Sequence, residues 1–162
     1  MAFRMRGQGA TEYLVLLAVV LIIALVAISL LGFFPSMAAD AKITQSNTYW
    51  RGEAAPISIQ EHSIDAATGA TQLVLLNNDA LGTVTILNIS LSDTSSGDTV
   101  ASPIMSAPIH LSSGAQQTYS FTAPALAGSD TYQYNVKINY ISPDGLQKTE
   151  SGAQPIIGKY SS

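Results

Sequence analysis

Gln8-Gly9-Ala10-Thr11-Glu12-Tyr13 runs directly into Leu14-Val15-Leu16-Leu17-Ala18-Val19-Val20-Leu21-Ile22-Ile23-Ala24-Leu25-Val26-Ala27-Ile28, an apolar run with one acid at its edge. Tyr13 to Phe34 is 22 residues, and a helix of that length spans about 33 Å, against a hydrocarbon core of about 30 Å. A bilayer offers no hydrogen bonds to the backbone, so helix is the only single-segment conformation that can cross it. The β-branched Val19, Val20, Ile22, Ile23, Val26 and Ile28 therefore read as helical despite their weaker propensity. Arg4 and Arg6 stand just before this stretch, and no charge follows Glu12 until Asp40. That asymmetry predicts a short cytoplasmic N-terminal side and an outer domain after the rod.

Working outward, the residues after the rod are numerous enough to bury a core of their own. Charged residues make up 11% of the chain, well below the usual share of about 25%. Net charge is −4 with a pI near 4.8, so no basic stripe suits a phosphate backbone, and nucleic acid is not an expected partner. There is no cysteine, which excludes disulfides, thiolate metal sites and cysteine nucleophiles.

Three readings of the N-terminal stretch compete. A secretory signal would place Ser36 and Ala38 before a cut at Ala39, but its apolar middle usually runs only about 7 to 15 residues. A permanent anchor explains the length and gives Glu12 no purpose, although an acid carried deeper costs up to about 3 kcal/mol. An acid at that depth calls for a partner. The third reading rests on Arg6-Gly7 followed by Gln8-x-x-x-Glu12-x-x-x-Leu16. This stretch resembles the class III signal peptide of archaeal type IV pilins, with Ala10 where serine is usual.

The resemblance implies that a prepilin peptidase cuts between Gly7 and Gln8, removing a leader of residues 1–7 and keeping the rod. It implies that Glu12 pairs with the new amine at Gln8 of a neighbouring subunit, as an assembly and docking device. Such pairing offsets the desolvation of both charges. The implied partners are the membrane before assembly, the peptidase, the assembly platform and other pilin copies. The implied destination is a surface filament with a role in adhesion, reached from a precursor in the cytoplasmic membrane. A membrane-anchored or secreted binding module is the alternative from another class, and an archaellin-like subunit the closer one.

Pro35 lacks a donor for the carbonyl of Leu31, so a bend or break is expected at residues 32–35, with the helix resuming to about Asn47. Tyr49 and Trp50 are read as docking that helix onto the outer domain. From Pro56 the period changes to two. Ile57 and Ile59 alternate with Ser58 and Gln60, Leu73 to Leu76 form a continuous apolar strand, and a phase slip at Leu87-Asn88 suggests a bulge. Tyr132, Tyr134, Val136, Ile138 and Tyr140 give the clearest alternation. Ser142-Pro143-Asp144-Gly145 is a turn joining that strand to residues 146–151. Gly69, Gly82, Gly97, Gly114 and Gly128 mark other connections, and Ile156 to Tyr160 form an edge or closing strand after Pro155. Seven or eight such strands predict an α+β chain: residues 1–7 leader, 8–47 helix, and 48–162 an antiparallel immunoglobulin-like β-sandwich head.

The head offers little chemistry. His62 and His110 are far apart and read as surface or strand-end residues, with no metal-ligand spacing around them. No nucleophile elbow appears, so no catalytic residue, metal or cofactor is expected. Asp93 and Asp98 lack a calcium-loop pattern and read as solvating their loop. Asn88-Ile89-Ser90 is an acceptor pattern for N-glycosylation.

Overall fold

The computed structural model describes residues 8–103, 105, 107–123 and 130–161, with 8 and 32–36 by backbone only. Contacts divide the chain into two compact units, Met1–Ala41 and Lys42–Ser162. Helix α1 is Gln8–Thr48. Of the bend or break expected at 32–35, a break does not occur: the backbone stays helical through Pro35. A proline removes one helical hydrogen bond, and here long helix-forming segments on both sides hold the ladder around that single loss. The helix ends one residue past the expected Asn47, at Thr48.

In the first unit, Gly9–Leu31 is long and apolar enough to cross a membrane, with mean hydropathy 3.4 and no part of it buried. Near the end of this run the Ser29 hydroxyl donates back to the carbonyl of Leu25 at 2.8 Å, so it carries no unmet hydrogen bond into an apolar surrounding.

The second unit is built from two antiparallel sheets that share one core. The first sheet has the order β1 (Ile57–Ile64), β2 (Ala70–Asn77), β6 (Gln116–Thr122). The second runs β4 (Thr99–Ala101), β3 (Val84–Asp93), β7 (Thr131–Ile141), β8 (Gln147–Ser151). Strand β5 (Ile109–Leu111) also pairs with β3, and β9 (Ile156–Lys159) with β7. Ile57, Ile59, Leu73 and Leu75 from one sheet join Ile86, Leu91, Tyr134 and Ile138 from the other in a single buried cluster.

The alternation expected for β7 holds, with Tyr132, Tyr134, Val136, Ile138 and Tyr140 all buried. The turn after it closes as a hairpin: Gly145 takes φ 84°, its N–H donates to the Ser142 carbonyl at 2.8 Å, and β8 pairs antiparallel with β7. The slip in β3 is a bulge. Ile86 pairs with Tyr140 and Asn88 with Asn139, leaving Leu87 as the extra residue; this is why Ile86 and Ile89, three apart, both reach the core.

A second bulge was not foreseen. In β1, Ile59 pairs with Leu75 but Glu61 with Val74, so Gln60 is the inserted residue. The inward set shifts from Ile57 and Ile59 to His62 and Ile64. Ser58, expected on the wet face, is buried and accepts from the Gln60 side-chain amide at 2.8 Å.

Trp50 is 0% exposed and edge-on to Tyr49, at the π-helical turn Tyr49–Glu53 that follows α1. Ser46 fixes the end of the helix to β9. Its hydroxyl donates to the Pro155 carbonyl at 2.7 Å and accepts the Ile157 N–H at 3.1 Å.

Candidate functional sites

Two regions carry functional groups, one in each unit. In the first, Glu12 and Leu16 lie one turn apart on the same face of α1, and both are exposed. The backbone of Gln8 is the first residue of the helix. Arg6 and Gly7, the other processing residues expected from the motif, lie outside the described residues. Within α1 the Glu12 carboxylate stands four residues past Gln8, exposed and accessible to a group arriving from outside the chain.

In the second unit the bulge at Gln60 creates a polar junction. His62 is half-buried and has both ring nitrogens engaged: Nδ1 with the Tyr132 hydroxyl at 2.6 Å, and Nε2 with Asn47 Oδ1 at 3.1 Å. With Asn47 Oδ1 as acceptor, Nε2 carries the proton and Nδ1 accepts from Tyr132. One imidazole thus ties together the end of α1, β1 and β7. Burial, and then the nearby Arg51 charge, lower its pKa to about 4. The expectation of a surface or strand-end histidine is corrected at His62, which is half-buried within β1, and the cause is the phase shift at Gln60. His110 is exposed on β5 and meets the Thr85 hydroxyl at 2.9 Å.

Glu150 is a group that sequence reasoning missed. It sits on β8, and its Oε2 accepts the N–H of Ile57 at the start of β1, at 3.0 Å, thereby linking the two sheets. Its Oε1 is buried without a hydrogen-bond partner among the described residues. Burial raises its pKa to about 7 against the pull of that backbone N–H. No spacing rule flags it, because a Lys-Thr-Glu run on an edge strand reads as solvated.

These two groups oppose each other in pH. Folding releases a proton at His62 between pH 6.5 and about 4, so its contribution is lost as pH falls through that window. Folding takes up a proton at Glu150 between pH 4.5 and about 7, so its contribution is lost as pH rises through that window. Each amounts to about 2 kcal/mol after allowance for solvent screening, and the sum is nearly flat. Denaturant unfolding from pH 4.5 to 7.5 should therefore show little trend in the native chain. Glu150→Gln should unmask a fall of about 2 kcal/mol on acidification, and His62→Gln a rise of similar size. Parallel profiles for all three proteins would contradict the assignment.

Asp93 accepts the N–H groups of Ser95 at 2.7 Å and Ser96 at 3.0 Å, as well as the Ser95 hydroxyl. These bonds, the Ser95 hydroxyl first, hold its pKa below the usual carboxylate value. Its oxygens serve the turn; Asp98 closes the same loop by accepting the Asp93 N–H at 2.9 Å through its carbonyl. Asn88 follows the bulge residue of β3. Its amide donates to Ser102 Oγ at 3.2 Å, while its Oδ1 is covered and without a partner among the described residues. The sequence matches no protein-family model and no curated protein.

Proposed function

We propose that this chain is the structural subunit of an archaeal type IV pilus-like surface filament. In this reading a prepilin peptidase removes residues 1–7, and α1 waits in the cytoplasmic membrane. An assembly platform then draws it into a helical homopolymer or mixed filament. Residues 48–162 form an immunoglobulin-like β-sandwich head on the outside and serve adhesion. The observation that carries the reading is the placement of Glu12. It is a lone exposed acid at the start of an unburied apolar span, Gly9–Leu31, within the spacing Gln8, Glu12, Leu16.

The driving term for assembly is the exchange of lipid contacts for packed helices, with the Glu12 carboxylate and the Gln8 amine setting register. Repeated heterologous contacts of this kind do not close, so they extend as a fibre. Two antiparallel sheets around one core support the reading of these residues as the head.

The first residue of the mature protein tests the processing step. Intact mass of the membrane or surface form should correspond to a chain starting at Gln8. A start at Ala39 would point to a secreted module, and a start at Met1 to a permanent anchor. The same spectrum shows whether Asn88 is glycosylated, since an occupied acceptor adds the mass of its glycan.

A further inference from the structure

We propose that the cleft between the end of α1, β1 and β9 binds a carboxylate, held chiefly by the guanidinium of Arg51. The cleft has a volume of about 260 Å³, and its polar lining comes from Asn47, Arg51, Glu61, His62, Tyr132 and Lys159. That is room for one small group rather than an extended ligand.

Arg51 is oriented from behind. Its Nε–H donates at 2.6 Å to the carbonyl of Gln60, the bulge residue. This leaves the two terminal nitrogens of the fork available for a bidentate acceptor, which a carboxylate matches in geometry. Among the described residues Arg51 has no ion-pair partner. After Gln8 the chain has only Lys42, Arg51, Lys137, Lys148 and Lys159 as cations, and two of these five line one cleft. An acidic chain concentrating its scarce positive charge in a concave site creates a local attraction for anions.

The rest of the lining narrows the class. His62 stays uncharged at neutral pH, because burial and then the nearby Arg51 charge disfavour its protonated form, while Asn47 and Tyr132 hold its ring in place. Glu61 lies in the same lining and opposes a second negative charge. The site therefore suits a singly charged carboxylate and disfavours inorganic phosphate. A carboxylate of this kind is presented either by a free sugar acid or by an Asp or Glu side chain of a second copy, which a filament holds at high effective concentration.

Two arms decide the matter. In the first, the full-length chain in detergent micelles is titrated with sodium glucuronate, sodium acetate and sodium phosphate, read by the fluorescence of Trp50, the neighbour of Arg51. In the second, which rests on the filament reading, mixed ¹⁴N and ¹⁵N filaments of the Arg51→Lys variant are treated with a water-soluble carbodiimide and mapped by mass spectrometry.

Saturable binding of glucuronate, weaker for phosphate and reduced at least about tenfold by Arg51→Gln, assigns the site to free acids. A cross-link from position 51 to a carboxylate of differently labelled chain assigns it to a second copy. Neither signal, from folded protein and normal filaments, overturns the proposal. If the unmodified chain forms no filaments, the filament reading falls, and the micelle titration alone decides the cleft.

Discussion

Glu12→Ala should leave export, membrane insertion and the folded head intact while reducing surface filaments to a trace. Glu12 is exposed on α1, so its removal uncovers no buried cavity. In the proposed filament core, though, the amine that cleavage would create at Gln8 would be left without its counter-charge. A buried ion that loses its partner costs about 3–5 kcal/mol. That penalty would recur at every subunit added, so it multiplies along the fibre. Glu12→Gln is the informative companion, since it keeps the shape and removes only the charge. Counting sheared filaments against the membrane-held pool measures the effect, and normal filament yield from both variants would remove the docking role.

Trp50→Ala should destabilise the head by about 3–5 kcal/mol, out of a total that for such domains is of order 5–15 kcal/mol. The indole is fully buried where the helix ends and the sheets begin. Gly152 lies so close beneath it that a Cβ there would run into the ring. The buried Trp50 Nε1 has no hydrogen-bond partner among the described residues, so Trp50→Phe, which removes that unmet donor, should cost distinctly less than Trp50→Ala. Denaturant titration followed by the near-ultraviolet signal of the seven tyrosines provides the comparison. Equal losses for Phe and Ala would show that ring burial is not the source of the stability.

Legibility differed between regions for physical reasons. The rod could be read because its apolar run is continuous and long enough to cross a membrane. β7 could be read because five inward residues keep strict period two. The hairpin at Ser142-Pro143-Asp144-Gly145 could be read because its turn chemistry is local, and the β3 bulge because Ile86 and Ile89 break phase visibly.

The bulge in β1 announces itself equally in principle, since Ile57 and Ile59 are out of phase with Ile64. However, the residues between them, Gln60 to Ser63, are all polar and carry no apolar period that would mark where the phase slips. Missing that slip left His62 on the wrong face, and with it the whole junction of Asn47, His62 and Tyr132. Glu150 was hidden for another reason. Its burial and its bond to the Ile57 N–H come from the packing of β8 against the start of β1, a contact 93 residues apart in sequence. The helical backbone runs on through Pro35 because one lost hydrogen bond is outweighed by the long helical segments on either side, a balance that no local motif displays.

The filament itself is the direct test of the central claim. Filaments sheared from cells that express the chain should be imaged by electron microscopy and their subunit identified by mass. The account predicts fibres built of this protein beginning at Gln8, with α-helices bundled at the axis and β heads outside. Cells whose only form of the protein is a monomer in the membrane or medium, with surface fibres made of something else, would contradict it.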